Sequence, residues 1–529
     1  MSKNKFWYRL MTAMVTLSLT IAIGGVAIAK EKVVLKICGD PGAETATAAE
    51  LVEAGRYGSL INPWVNAVWN YNHPDAKVKV VFSGRLKHQR DNLLTHLASG
   101  NAPAIYQLSP FPSLHDAIEL GVIADITKWI NNPELKAKYF DHMSPIMRDY
   151  WKNEMWLGDH CYGMVKEVNP FGVFYRKDWL KEAGIFNAQG VGAPPDHWTL
   201  KDFREIAKKI TDSKKERWGL ILRGEIPKEG SLIKRFGVEE VIPDKSGKYT
   251  WRAGFTLPTM VDFMSFTHDM IFKDKSILTG TEYGWGECWH GFFDQHRGGM
   301  ILECLPAGIA NFAVEDRKYF SPLHFTDAAC YAPLPVGRGG LRPLESYGQK
   351  HIVNPLLTDA EKKAAVEYLL YDLVGKGQIF RKMSGYFSSE ARFPFNAHAF
   401  DGLPDAPWMK SLGYNVTPDY IHEWNLISEE KAMPSASRYG LYVKNFIAVR
   451  DALEAAYRMI LSTANINVEE ELAKAASIAN TKLNYKDKEI TPEKLKDYYT
   501  VVGEYYKETA PDFYKNTFQP LLEKYYKVW

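Results

Sequence analysis

Residues 169–211 read NPFGVFYRKDWLKEAGIFNAQGVGAPPDHWTLKDFREIAKKIT, and the reading of this stretch decides the fold. Gly172-Val173-Phe174-Tyr175 is a short apolar run of strand type, and Lys177 to Ala183 has the pattern of a helix stopped by Gly184. A loop with Pro194-Pro195 follows. Trp198 and the N-cap candidate Thr199 then open a second, amphipathic helix through Ile210. Strand, helix, loop and helix in this order form a structural unit with no catalytic signature.

The same alternation extends both ways. Upstream, Val33 to Cys38 is a strand leading into Gly39-Asp40-Pro41-Gly42 and a helix from about Ala46. A second strand, Val78 to Phe82, precedes a helix from Lys87 to Ala98 and a strand from Ala104 to Leu108. Leu114 to Leu120 reads as a helix ended by Gly121. Downstream, strands are expected at Trp218 to Leu222, Met300 to Cys304 and His351 to Val353. Helices are expected at Leu257 to Phe272, Ala360 to Val374, about Tyr439 to Leu461, and Val468 to Leu483. This rhythm predicts α/β lobes with largely parallel sheets.

Several phrases within this frame resemble the family 1 extracellular solute-binding proteins of ABC importers, the carbohydrate-type relatives of maltose-binding protein. They are Y-x-K-D-x-L-x-x-A-G-I from Tyr175, P-x-x-W-T-x-x-D-F from Pro195, and LLTHLASGNAPAIYQL over Leu93 to Leu108. F-x-x-x-R-G-G-M over Phe293 to Met300 and APLPVGRGG over Ala332 to Gly340 complete the set. Ala104 departs from the pattern, which usually has Asp after the proline. Together the phrases cover about residues 30 to 485. The resemblance implies a two-lobed periplasmic-binding-protein fold with three hinge crossovers, near 163, 341–347 and 385–388. Lobe 1 would hold residues 30–163 and 347–385, and lobe 2 residues 164–346 and 386–485. Residues 486–529 exceed the family's usual end and read as a Tyr-rich C-terminal helical extension.

The N-terminus has the form of an export signal over 1–29. Lys3, Lys5 and Arg9 make a basic region, Leu10 to Val26 is apolar, and Ala27-Ile28-Ala29 is a small-x-small cleavage site. No Cys follows the site, which argues against a lipid anchor and for a soluble periplasmic protein with no membrane anchor of its own after cleavage. The 65 basic residues fall to 62 without Lys3, Lys5 and Arg9, against 63 acidic ones, so the mature chain is near neutral. That gives no reason to invoke nucleic acid or anionic lipid. The five cysteines, Cys38, Cys161, Cys288, Cys304 and Cys330, are odd in number and widely spaced. Buried free thiols and a Cys288–Cys304 bridge both fit, and no zinc pattern is present. No cofactor is expected, nor any Walker-type phosphate loop, so ATP hydrolysis would belong to the importer.

For the ligand, 15 Trp, 29 Tyr and 26 Phe favour a carbohydrate, whose C–H faces stack on rings while its hydroxyls meet polar side chains. Most of those aromatics belong to the core. Trp285 and Trp289 stand out because they fall in what reads as a glycine-punctuated loop, Tyr283 to Trp289. Asp40 lies in the first loop, which resembles the sugar-contacting loop of the family. Open α/β sheets bind ligands at strand ends, which adds Gln107, Ser109, Asn169, Arg223, Glu225, Glu303, Ser346 and Tyr347. Glu303 puts a carboxylate into the apolar run MILECL, where the family usually has an Asn- or Gly-like residue and where an unpaired charge is costly.

The expected function is a monomeric, non-enzymatic carrier that delivers a neutral sugar or oligosaccharide to an ABC membrane permease. A secreted carbohydrate-active enzyme is the alternative, since two facing carboxylates among Glu225, Glu287 and Glu303 would suffice for glycoside hydrolysis. Binding proteins for peptides or opines, and a sensory partner of a membrane receptor, are further readings.

Overall fold

The computed structural model describes residues 33–525 except 40–60, 84–85, 87–88, 109–113, 141–142, 144, 166–168, 223–231, 245, 247, 249, 280–284, 294, 305–328, 345, 348–349, 376–421, 424, 428, 433–442, 444 and 485–490. The signal-peptide region, the helix expected from Ala46 and the third crossover lie outside these residues, as does the Tyr439 start of its helix, which is described only as Phe446–Ser462.

Strand Asn169–Arg176 is the hub of the larger sheet. It pairs antiparallel with Met300–Cys304 on one side and Ala329–Pro333 on the other, and its first two residues pair with Ser346–Tyr347. Leu220–Leu222 and Ile277–Thr279 extend the sheet beyond Met300–Cys304 in parallel register. The strand is buried on both faces, which explains its uninterrupted apolar sequence. Phe171, Val173 and Tyr175 enter one hydrophobic cluster, while Phe174 enters another and meets Tyr331 with ring centroids 6.1 Å apart.

The helices after it form as their sequence dictates. Lys177–Glu182 ends at Ala183, and Gly184 takes the left-handed φ of 65° that stops it. Helix Leu200–Lys209 opens with a capping box: Thr199 Oγ1 accepts from Asp202 N at 3.2 Å, and the Asp202 carboxylate accepts from Thr199 N at 2.8 Å. Leu200, Phe203, Ile206 and Ala207 recur at helical spacing and are all buried.

A first sheet stands apart from this one. Val33–Gly39 and Ala76–Ser83 pair in parallel, and Ile105–Gln107, Lys350–Val353 and Met164–Val165 form an antiparallel group. Ala104 N donates to Lys36 O at 2.6 Å and joins the two groups. Helices Ile61–Asn72, Arg90–Ala98, Pro145–Met155 and Asp359–Leu373 belong with this sheet. The expectation of largely parallel sheets therefore needs correction. Both sheets are mixed, because the strands on either side of a crossover return through the sheet in the opposite sense. Alternating elements in sequence reveal α/β class but not the direction in which a strand re-enters.

The C-terminal extension is part of the second core. Pro492–Thr509 and the short helical segments Pro511–Phe513, Tyr514–Phe518 and Gln519–Tyr525 follow one another. Tyr499, Val502, Tyr506, Ala510, Phe513 and Phe518 are buried in the same cluster as Phe171, Val173 and Tyr175. Fully burying an apolar side chain is worth about 1.5–3 kcal/mol, so six such residues make this segment structural. The Tyr-rich composition is its packing face.

Candidate functional site

The site is built by strand direction. Because Asn169–Arg176 runs against its neighbours, Asn169 lies at the same sheet edge as Glu303 and Cys304, which stand opposite Gly172 and Phe171. Leu220–Leu222 is parallel to Met300–Cys304 and ends at that edge, directly before Arg223 in the chain. Ile277–Thr279 ends there as well and leads toward Trp285. Tyr347 is in register with Asn169, and Ser346 with Pro170. Three strands thus bring Asn169, Ser346, Tyr347 and Glu303 to one rim. The side chains of those four residues lie outside the described residues, as do Asp40, Ser109, Arg223 and Glu225 entirely.

On the first sheet, Gly39 ends its strand directly before Asp40, and Gln107 ends strand Ile105–Gln107. Gln107 is 1% exposed and stands opposite His351. This rim is the equivalent edge of the first sheet, where Cys38 and Gly39 pair with Phe82 and Ser83.

The loop reading of Trp285 and Trp289 is corrected. They belong to a helix, Trp285–Phe293, rather than a loop. Trp285, Cys288, Trp289 and Phe292 recur at helical spacing, with Cys288 and Phe292 fully buried. Gly291, further along the same helix, answers a packing need: a Cβ there would come within 2.9 Å of the Ile221 side chain. Helical periodicity outweighed glycine punctuation.

Trp198 is a packing residue. It is 2% exposed, and its Nε1 donates to Pro333 O at 2.9 Å. A shallow pocket beside it is lined by Pro195, His197, Arg342 and Glu423 among others. Its rim carries groups already matched, His422 with Asp196 at 3.0 Å and Arg342 with Glu429 at 3.1 Å. Sequence reasoning passed over this cluster because its partners are more than 80 residues apart in the chain. Cys161 and Cys330 are buried free thiols, and burial pushes the Cys330 thiol up to about 12. The Cys304 side chain is outside the described residues. Among the described residues no group of three His, Cys, Asp or Glu could hold a metal, and no helix is long and apolar enough to cross a membrane.

Two sheets, each presenting strand ends to a shared crossover, suit a ligand held between two bodies. Residues 43–233 match the family model of the bacterial extracellular solute-binding proteins. That is the family which the motifs resembled. No curated protein matches the chain in sequence.

Solved solute-binding proteins share the fold. An ABC substrate-binding protein of Listeria monocytogenes, in complex with cycloalternan, is 16% identical with a TM-score of 0.58, over 86% of this chain and 100% of that one. A maltose-bound protein of T. maritima is 16% identical with a TM-score of 0.56, over 85% and 100%. UgpB of Mycobacterium tuberculosis, in complex with glycerophosphocholine, is 11% identical with a TM-score of 0.58, over 86% and 99%. The expected two-lobed periplasmic-binding-protein fold is borne out, with the extra C-terminal helices present.

Proposed function

We propose that this chain is the substrate-binding component of an ABC importer. It takes a neutral sugar or oligosaccharide into the cleft between two lobes and passes it to a membrane permease. The observation that carries this is the convergence of strand ends from both sheets beside the paired crossover segments Asn169–Pro170 and Ser346–Tyr347. Hinges of that kind let lobes close on a ligand and withdraw it from water, which strengthens each polar contact. The family match and the sugar-bound structures of the same fold support it.

In this proposal residues 30–163 and 347–385 form lobe 1, and 164–346 and 386–485 form lobe 2. Asp40, Gln107 and Ser109 meet the ligand from the first, and Asn169, Arg223, Glu225, Glu303, Ser346 and Tyr347 from the second and the crossovers. Trp285, the first residue of its helix, and Trp289, one turn further on, meet the ligand from the second lobe as well. The protein is exported to the periplasm by its signal peptide, cleaved near Ala29, and works there as a monomer without catalytic activity.

A thermal-shift screen over mono-, di- and oligosaccharides, polyols and peptides tests the ligand class. Binding to the folded state stabilises by about 2.7 kcal/mol at a hundredfold excess over Kd, so a carbohydrate is expected to raise the melt without being consumed. Turnover of an oligosaccharide in the same incubation would make the protein an enzyme. A shift with peptides alone would remove the sugar assignment.

A further inference from the structure

We propose that the C-terminal helices are a brace between the two lobes, gripping the short strand Lys431–Ala432 so that lobe opening is limited. This goes beyond the transport reading and does not depend on which ligand is bound. Lys431–Ala432 pairs in parallel with Pro343–Leu344, two residues before the crossover strand Ser346–Tyr347. On one side it packs against helix Pro145–Met155. That helix is fastened to the first sheet, with Trp151 Nε1 donating to Gly163 O at 2.7 Å and Glu154 paired with Lys350 at 2.5 Å.

On the other side it is held by the extension. Tyr505 Oη donates to Lys431 O at 3.2 Å, and Lys431 Nζ pairs with Glu508. The extension is itself anchored in the core of the second sheet through Tyr506, Phe513 and Phe518. Phe513 sits directly on the proline-glycine phrase before the crossover: a Cβ on Gly339, whose φ is 58°, would come within 2.5 Å of Phe513 N. Arg342, two residues beyond that phrase, pairs with Glu429, and the buried Arg235 pairs with Glu430 at 2.7 Å. The segment before Lys431 is therefore tied to the second body at each of these points. A strand that touches the first body's helix, runs beside the crossover and is tied by the extension transmits any change of lobe angle to those ties.

The test uses the full chain without ligand, with Tyr505→Phe and Glu508→Lys combined to remove the hydroxyl bond and set two cations against each other. The radius of gyration from small-angle scattering is expected to rise, and amide exchange at 343–347 to quicken. Adding Lys431→Glu restores an opposite-charge pair and is expected to bring both back toward the parent values. An unchanged or smaller radius overturns the brace, whether the melting temperature holds or falls. A lowered melt without a larger radius would leave the extension as core packing alone.

Discussion

Glu239 is the residue with the least comfortable place in the fold. It is 2% exposed, and neither carboxylate oxygen has a hydrogen-bond partner among the described residues. Burial pushes its carboxyl up to about 7, with Lys234 pulling it down and Glu240 pushing it up. A carboxyl whose folded value lies above its ordinary 4.5 holds a proton that the unfolded chain has released. Its stabilising effect is complete below about 4.5 and disappears as pH rises through about 7. The shift corresponds to about 3 kcal/mol at high pH. Glu239→Gln is expected to flatten the loss of stability between pH 4.5 and 8 and to raise the melt at pH 8. An equal slope in parent and variant melting curves would show that Glu239 does not govern it. Glu430 differs: burial raises its carboxyl too, but the Arg235 guanidinium at 2.7 Å opposes the effect and supplies a partner.

At the scale of the element, the segment around Thr199 was fully legible. An N-cap hydroxyl, an acidic residue three positions on and apolar residues at helical spacing are local signals, and the capping box formed as written. Thr199→Ala is expected to cost about 1 kcal/mol, measured as a lower denaturant midpoint with an unchanged slope. A loss below a few tenths would mean that the bridge between Thr199 and Val336 holds the helix start without the cap. Trp285–Phe293 was misread for the opposite reason. Gly284 and Gly286 are punctuation in a local reading, but the helix is set by packing against a distant strand: Gly291 leaves room for Ile221, about 70 residues earlier.

For the whole molecule, the extension changes what counts as the second body. Phe513 fills space that Gly237 and Gly339 leave open, with Tyr506 at 4.9 Å between ring centroids. Phe513→Ala is expected to cost about 3–5 kcal/mol, as for a large core residue replaced by a small one. Thermal unfolding of the full chain checks this, and a melt within about a degree of the parent would make the extension peripheral. The site belongs to this scale too. Asn169 and Tyr347 are 178 positions apart in sequence yet face each other across a strand pair, and no local pattern could announce that.

By itself the sequence determined the α/β class, many of the strands and helices between Val33 and Lys482, and the resemblance to extracellular solute-binding proteins. Those depend on periodicity, capping and turn residues, which act within a few positions of one another. Only the tertiary structure decided the direction of the crossover strands, the gathering of Asn169, Glu303, Ser346 and Tyr347 at one rim, the helix of Trp285 and the burial of the extension. These depend on pairings between distant segments, whose register is set by which apolar faces can be buried together.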